Sequence, residues 1–286
     1  MLAELVKTTT RDGLRLDGAL FTPTVATEFG LDALVLLHGV GGNFYGGSLF
    51  DLLAPPLFEL GISVLRVNTR GHDAISWAHS SDGQASKQGA AYELVDDCRH
   101  DIAAWVDFLV ERGMARIGLL GHSLGAVKAI YAQSKQPHRA VHCVIAVSPP
   151  RLSHSAFQHG PRSSIFFQDL TTAQQHVEAD QPETLLQANF PLPFLVSASS
   201  YVDKYGPGER YNILPLLSSL DCPLLVTYGE CELEAGSMAF AGMHEAVASA
   251  GKDVTVATIE NADHFYRDAC DALAAELTGW LRQRLG

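Results

Sequence analysis

Residues 116–134 read RIGLLGHSLGAVKAIYAQS. The run opens with a short apolar stretch, Arg116–Leu120, of the length and composition of a buried strand. It turns through Gly121 and Gly125, then continues from Leu124 to Ser134 as an apolar, helix-like stretch. A serine between a strand and a helix sits on a sharp turn. The residues two before and two after it must be small, or their side chains would collide across that turn. Gly121 and Gly125 meet this demand around Ser123, and Ala126 lets the helix lie close to the sheet. The turn leaves the Leu124 N–H at a helix N-terminus, where it can bind an oxyanion. Ser123 is therefore the candidate nucleophile.

The same rhythm extends in both directions. Leu5–Thr10 and Leu14–Thr22 flank the turn signal Arg11-Asp12-Gly13 and read as a hairpin. Ala33–Leu37, Ile62–Val67, Val141–Val147, Leu224–Tyr228 and Val254–Ile259 are further apolar runs without strict alternation, as in strands buried on both faces. Helix-like segments lie between them at Leu49–Leu60, Tyr92–Arg112, Ser237–Ala250 and His264–Arg284, the first expected to kink or split at Pro55-Pro56. Alternating strands and helices predict an α/β domain: a mainly parallel sheet with helices on both faces. Residues 151–211 break the rhythm. They hold no clear strand, several prolines, and the aromatics Phe157, Phe166, Phe167, Phe190 and Phe194. They predict a packed helical cap with two or three short helices, inserted into a core of residues 1–150 and 212–286.

Composition excludes several classes. The 286 residues are 47% hydrophobic and carry a net charge of −12, which argues for one large core and against nucleic acid or an anionic membrane as partner. No apolar run approaches a membrane span, and the N-terminal stretch lacks the basic and apolar regions of a signal peptide. Five cysteines without a CxxC pair fit reduced thiols in a cytoplasm. His138 and His142 are four apart, but no carboxylate partner stands near them in sequence, so no metal is expected.

Two further stretches carry chemistry. Ala33–Leu37 runs into His38-Gly-Val-Gly-Gly-Asn43, whose glycines let the backbone expose N–H groups. The Val40 N–H is the natural second oxyanion donor beside Leu124, and His38 reads as a brace of the loop. A serine nucleophile also needs a base, and the base needs an orienting acid. His264 follows the strand Val254–Ile259, whereas His244 falls within a helix-like run. The acid belongs in the loop after Leu224–Tyr228, where Glu232 is preferred and Glu230 and Glu234 are rivals. Asp263 adjoins His264 but would point away from it. His72, Asp73 and His79 read as members of a solvent-exposed loop between Arg70 and Ala90, with pocket lining as the alternative.

The stretches HGVGGN at 38–43, RGHD at 70–73, GHSLG at 121–125, GECE at 229–232 and NADHFY at 261–266 together resemble the α/β-hydrolase superfamily. The resemblance covers Leu5–Pro150 and Leu220–Leu285; the segment between them is not recognisable. It implies an eight-stranded, mostly parallel sheet with an antiparallel second strand, and a Ser-His-acid triad at the carboxyl edge beneath a cap. The acid is usually Asp in that superfamily, and the matching position here is Glu232. The expected activity is cofactor-free hydrolysis of a small-molecule ester, thioester, lactone or amide through an acyl-enzyme. Alternatives on the same triad are C–C bond hydrolysis, perhydrolysis and acyl transfer. An alternative of another class is a non-catalytic, receptor-like binding protein.

Overall fold

The computed structural model describes residues 2–25, 27, 30–47, 49–80, 83–250 and 253–286. Residue 1 of the N-terminal stretch and residues 81 and 82 of the Arg70–Ala90 loop lie outside them.

The strands are β1 (Glu4–Thr9), β2 (Arg15–Phe21), β3 (Ala33–Leu37), β4 (Ser63–Val67), β5 (Ser76–His79), β6 (Ala85–Gln88), β7 (Ile117–His122), β8 (Val141–Val147), β9 (Leu185–Ala188), β10 (Phe194–Ser197), β11 (Leu224–Gly229) and β12 (Val254–Ile259). The helices are α1 (Leu49–Glu59), α2 (Cys98–Glu111), α3 (Leu124–Lys135), α4 (His154–Phe157), α5 (Ser163–Glu178), α6 (Ala198–Tyr205), α7 (Glu230–Glu234), α8 (Met243–Ala250) and α9 (Cys270–Leu285). Eight strands form one sheet in the order β1-β2-β4-β3-β7-β8-β11-β12. Only β2 runs against its neighbours. From β4 onward every pairing is parallel.

Two apolar cores cover the two faces. One packs α2 and α3 on the sheet, and the other packs α1 and α9. β3, β4 and β7 are buried along their whole length, which explains why their sequences show no strict alternation of apolar and polar residues. Each fully buried Leu, Ile or Val there contributes roughly 1.5–3 kcal/mol.

The structure differs from the sequence reading in several places, each for a local reason. α1 passes through Pro55 and Pro56 without being split, because Leu49, Phe50, Leu53, Ala54 and Leu57 anchor its other face. α2 begins at Cys98 instead of Tyr92, after a 3₁₀ turn at Val95–Asp97, because Glu93 turns inward and the Val95 N–H is given to Asp203. α8 begins at Met243, directly after Gly242 in the left-handed region. α9 begins only at Cys270, because Tyr266 also takes a positive φ and stops helical continuation from His264.

Residues 151–211 contain α4, α5 and α6, but also a two-stranded antiparallel hairpin of β9 and β10. α5 spans 16 residues and is not short. Phe157, Phe166 and Phe190 pack edge to face, with ring centres 4.8 Å (157–190) and 5.1 Å (166–190) apart. The Arg70–Ala90 stretch likewise holds a small hairpin, β5 with β6.

Candidate active site

Ser123 occupies the turn between β7 and α3 with φ 55° and ψ −122°. A Cβ on Gly121 would lie 2.3 Å from the carbonyl of Gly125, and one on Gly125 would lie 2.1 Å from the Leu37 oxygen. The two glycines are therefore a steric requirement of the elbow. Seven non-glycine residues among those described take a positive φ, and five of them, Asp73, Ser123, Ser148, Asn261 and Tyr266, belong to this site or adjoin it. Such conformations cost about 1–3 kcal/mol each and persist only where the surroundings dictate them.

His264, in the loop after β12, places Nε2 3.1 Å from Ser123 Oγ. Its Nδ1 donates to Glu232 Oε2 at 2.7 Å. That bond fixes the tautomer and leaves Nε2 free to accept the serine proton. Glu232 lies in α7 and is 6% exposed. Its second oxygen, Oε1, accepts the Gly229 N–H at 2.8 Å and the Ser148 hydroxyl. Since Ser148 spends its proton on Glu232, Tyr266 donates to Ser148 Oγ at 2.8 Å. Both carboxylate oxygens are thus held, and the acid cannot swing away from the imidazole.

The rivals go elsewhere. Glu230 accepts the Asn261 N–H at the surface, and Glu234 is exposed. Asp263 turns back to its own chain and accepts the Phe265 N–H at 2.9 Å. His244 lies on α8.

The His38–Asn43 loop passes directly over the serine: a Cβ on Gly39 would lie 3.1 Å from Ser123 Cβ. Among the described residues, neither the Val40 N–H nor the Leu124 N–H has a hydrogen-bond partner. His38 Nε2 accepts the Thr69 N–H at 3.1 Å, so its proton sits on Nδ1, which donates to the Gly39 carbonyl at 2.8 Å. In a trans peptide the C=O and N–H point in opposite directions. By holding the Gly39 carbonyl, His38 therefore also sets the direction of the Val40 N–H. Asp73 braces the loop from the other side: Asn43 donates to it at 2.7 Å, Tyr45 and His72 also bind it, and its own N–H goes to Gly42. His72 and Asp73 are thus partly buried and tied to this loop, whereas His79 is exposed.

Sequence reasoning gave His122 no role. It is buried and donates Nε2–H to the His264 carbonyl at 2.8 Å, so it fixes the backbone of the imidazole it adjoins. Its place directly before Ser123 in GHSLG is the one signal the sequence offers. Phe240 and Phe265 flank the His264 ring, each with centres 5.2 Å away.

Burial lowers His38 to about 4, and Lys128 adds to the fall. Burial also lowers His122 to about 4, with His264 contributing. Both imidazoles stay neutral in the folded chain down to that pH, while an unfolded histidine takes up its proton near 6.5. The unfolded state therefore binds more protons in this window, and stability must fall as the pH falls. Each histidine contributes up to roughly 3 kcal/mol that is present above about pH 6.5 and lost towards about pH 4. Urea midpoints measured from pH 7 to pH 4 should fall steadily, and a flat midpoint would contradict this account.

His138 does meet a carboxylate, Asp107, at 3.1 Å. Among the described residues there is no group of three or more His, Cys, Asp or Glu able to hold a metal, and no helix long and apolar enough to cross a membrane.

Comparison with known proteins agrees with this architecture. The model of a family described as the alpha/beta hydrolase family matches residues 34–276. Among solved structures, the chain is similar to alpha/beta hydrolase GrgF from Penicillium sp. sh18, with TM-score 0.73, 17% identity, and coverage of 100% of this chain and 99% of that one. It is also similar to Est1E from Butyrivibrio proteoclasticus in a structure with ferulic acid bound, with TM-score 0.67, 15% identity, and coverage of 97% and 98%. A third is the Pyrococcus furiosus esterase PF2001, with TM-score 0.66, 18% identity, and coverage of 100% and 92%. No curated protein gives a match.

Proposed function

The chain belongs to the alpha/beta hydrolase family, and from that premise we propose that it is a serine hydrolase cleaving a carboxylic ester, or a related thioester, lactone or amide, through an acyl-enzyme. The observation that carries this reading is the unbroken hydrogen-bonded line from Ser123 through His264 to Glu232. In the proposed reaction His264 Nε2 takes the Ser123 proton as Oγ attacks the acyl carbonyl. The Val40 and Leu124 N–H groups receive the negative charge that develops on the carbonyl oxygen. His264 then passes the proton to the leaving group, and water releases the acyl group by the same route.

Residues 151–211 are the proposed cap. Their first part lies against the loop before α8: the Arg151 N–H donates to Ala239, one residue from Phe240, whose ring flanks His264. The apolar flank made by Phe240 and Phe265 supports an uncharged, partly apolar acyl substrate. A reducing, cytoplasmic setting belongs to the same proposal and is supported by five cysteines that form no disulfide.

The test needs no substrate. A fluorophosphonate probe should add one label to the folded protein, read by intact mass. Active-ester and lactone panels then define the bond cleaved. Folded protein that takes no label would overturn the reading and favour a binding protein instead.

A further inference from the structure

Glu93 is fully buried between two lysines from different parts of the chain. Lys128, on α3, pairs with Oε1, and Lys204, on α6 of the 151–211 segment, lies 3.8 Å from Oε2. The three charged side chains are 0%, 1% and 3% exposed. Burying charge in this way is costly, and apolar residues of similar volume would fill the space without that cost. Gly71 makes room for the cluster, because a Cβ there would lie 2.2 Å from Glu93 Oε1.

The cluster does not end at Lys128. Its Nζ donates to Thr69 Oγ1 at 3.1 Å, and Thr69 Oγ1 in turn lies 3.1 Å from His38 Nε2. His38 then holds the Gly39 carbonyl. The positive charge of Lys128 also disfavours a proton on His38 Nε2, which keeps that nitrogen an acceptor and the proton on the Gly39 side. A second connection runs beside the first. The Lys204 Nζ and the Ser197 N–H donate to the Ala90 and Ala91 carbonyls, and the N–H groups of Ala90 and Ala91 go to Asp73 and Ala74. Asp73 binds Asn43 of the oxyanion loop.

We propose that Lys204, Glu93 and Lys128 are positioning residues that join helix α6 to the Thr69–His38 brace, so that docking of the 151–211 segment sets the aim of the Val40 N–H. The proposal rests on the serine-hydrolase reading, because it needs Val40 as an oxyanion donor.

Three variants test it: Lys204→Met, Lys204→Arg and Thr69→Val. Each is followed by amide hydrogen exchange of residues 39–43 and 198–205, and by kcat and KM on a 4-nitrophenyl ester. Lys204→Met should speed exchange in both segments and lower kcat about tenfold, with KM little changed, because a transition-state donor is misaimed. Lys204→Arg keeps the charge and should restore both readouts. Thr69→Val cuts the line below Lys128. It should therefore reproduce the effects on residues 39–43 and on kcat while leaving 198–205 unaffected. The proposal is overturned if Lys204→Met loosens 198–205 but leaves 39–43 and kcat untouched; Lys204 is then only an anchor for α6. A wild type that neither labels with the phosphonate nor hydrolyses esters overturns the hydrolase reading and, with it, the aim assigned to Val40. The exchange data are independent of turnover, so the two failures are told apart.

Discussion

Ser123→Ala is expected to lower ester hydrolysis about 10⁴–10⁶-fold and to abolish phosphonate labelling, while the protein stays folded. The size follows from what the side chain does in the proposed reaction. Oγ is the only atom removed, and it is the atom that would form the acyl bond. Among the described residues Ser123 Oγ, at 3.1 Å, is the one hydroxyl that His264 Nε2 meets, while Nδ1 is occupied by Glu232. The fold should tolerate the change. Alanine carries the same Cβ and the same backbone strain at φ 55°, and the one side-chain hydrogen bond lost is that to His264. Rates of 4-nitrophenyl ester hydrolysis, together with thermal unfolding of both proteins, check both halves. A variant that keeps more than a tenth of wild-type turnover would remove Ser123 from the chemistry.

Glu232→Gln should cost about 10³–10⁴-fold in kcat, and the contrast with its neighbours is the informative part. The amide keeps the shape of the carboxylate but has only one acceptor. Gly229 and Ser148 both donate to Oε1, so the Gln oxygen is drawn to that side and its NH₂ is turned towards His264. Nδ1 must then accept, the proton moves to Nε2, and the imidazole can no longer take one from Ser123. Glu230→Gln and Glu234→Gln should leave the rate nearly unchanged, since the first binds only the Asn261 N–H and the second is exposed. A large loss in either of those, with Glu232→Gln active, would reassign the acid. Glu232→Asp should also be impaired. A side chain one methylene shorter cannot reach the Gly229 N–H and His264 together from α7.

The parts of this site that could be read in the sequence are those set by local sterics and chain order. Gly121 is dictated by a backbone clash with Gly125 four residues on, and GHSLG stands between an apolar strand and a helix-like run, so the elbow is visible in that short stretch, although Gly125 itself is held by the distant Leu37. His264 stands out because it follows a strand, and the loop after β11 stands out because it follows Gly229. The choice among Glu230, Glu232 and Glu234 is not local. It depends on Ser148 and Tyr266, which approach from 84 residues before Glu232 and from beside His264. His122 was silent for the same reason: its partner carbonyl is 142 residues away in sequence. The β9–β10 and β5–β6 hairpins escaped because four residues are too few to display a period of two. α1 misled through its prolines, since propensity yields when one face of a helix is firmly packed.

β12 is an edge strand. It pairs with β11 alone, most of it is only half-buried, and the loop that follows it carries His264. The proposed base therefore hangs from the margin of the sheet, while the proposed nucleophile directly follows β7, among the most deeply buried strands. Chain synthesis supplies Ser123 first, then Glu232, and His264 last. Local opening at an unpaired margin needs less free energy than global unfolding, so the imidazole can leave register with the core still intact. Under the proposed mechanism, turnover would therefore depend on the order of a marginal strand as well as on the integrity of the core.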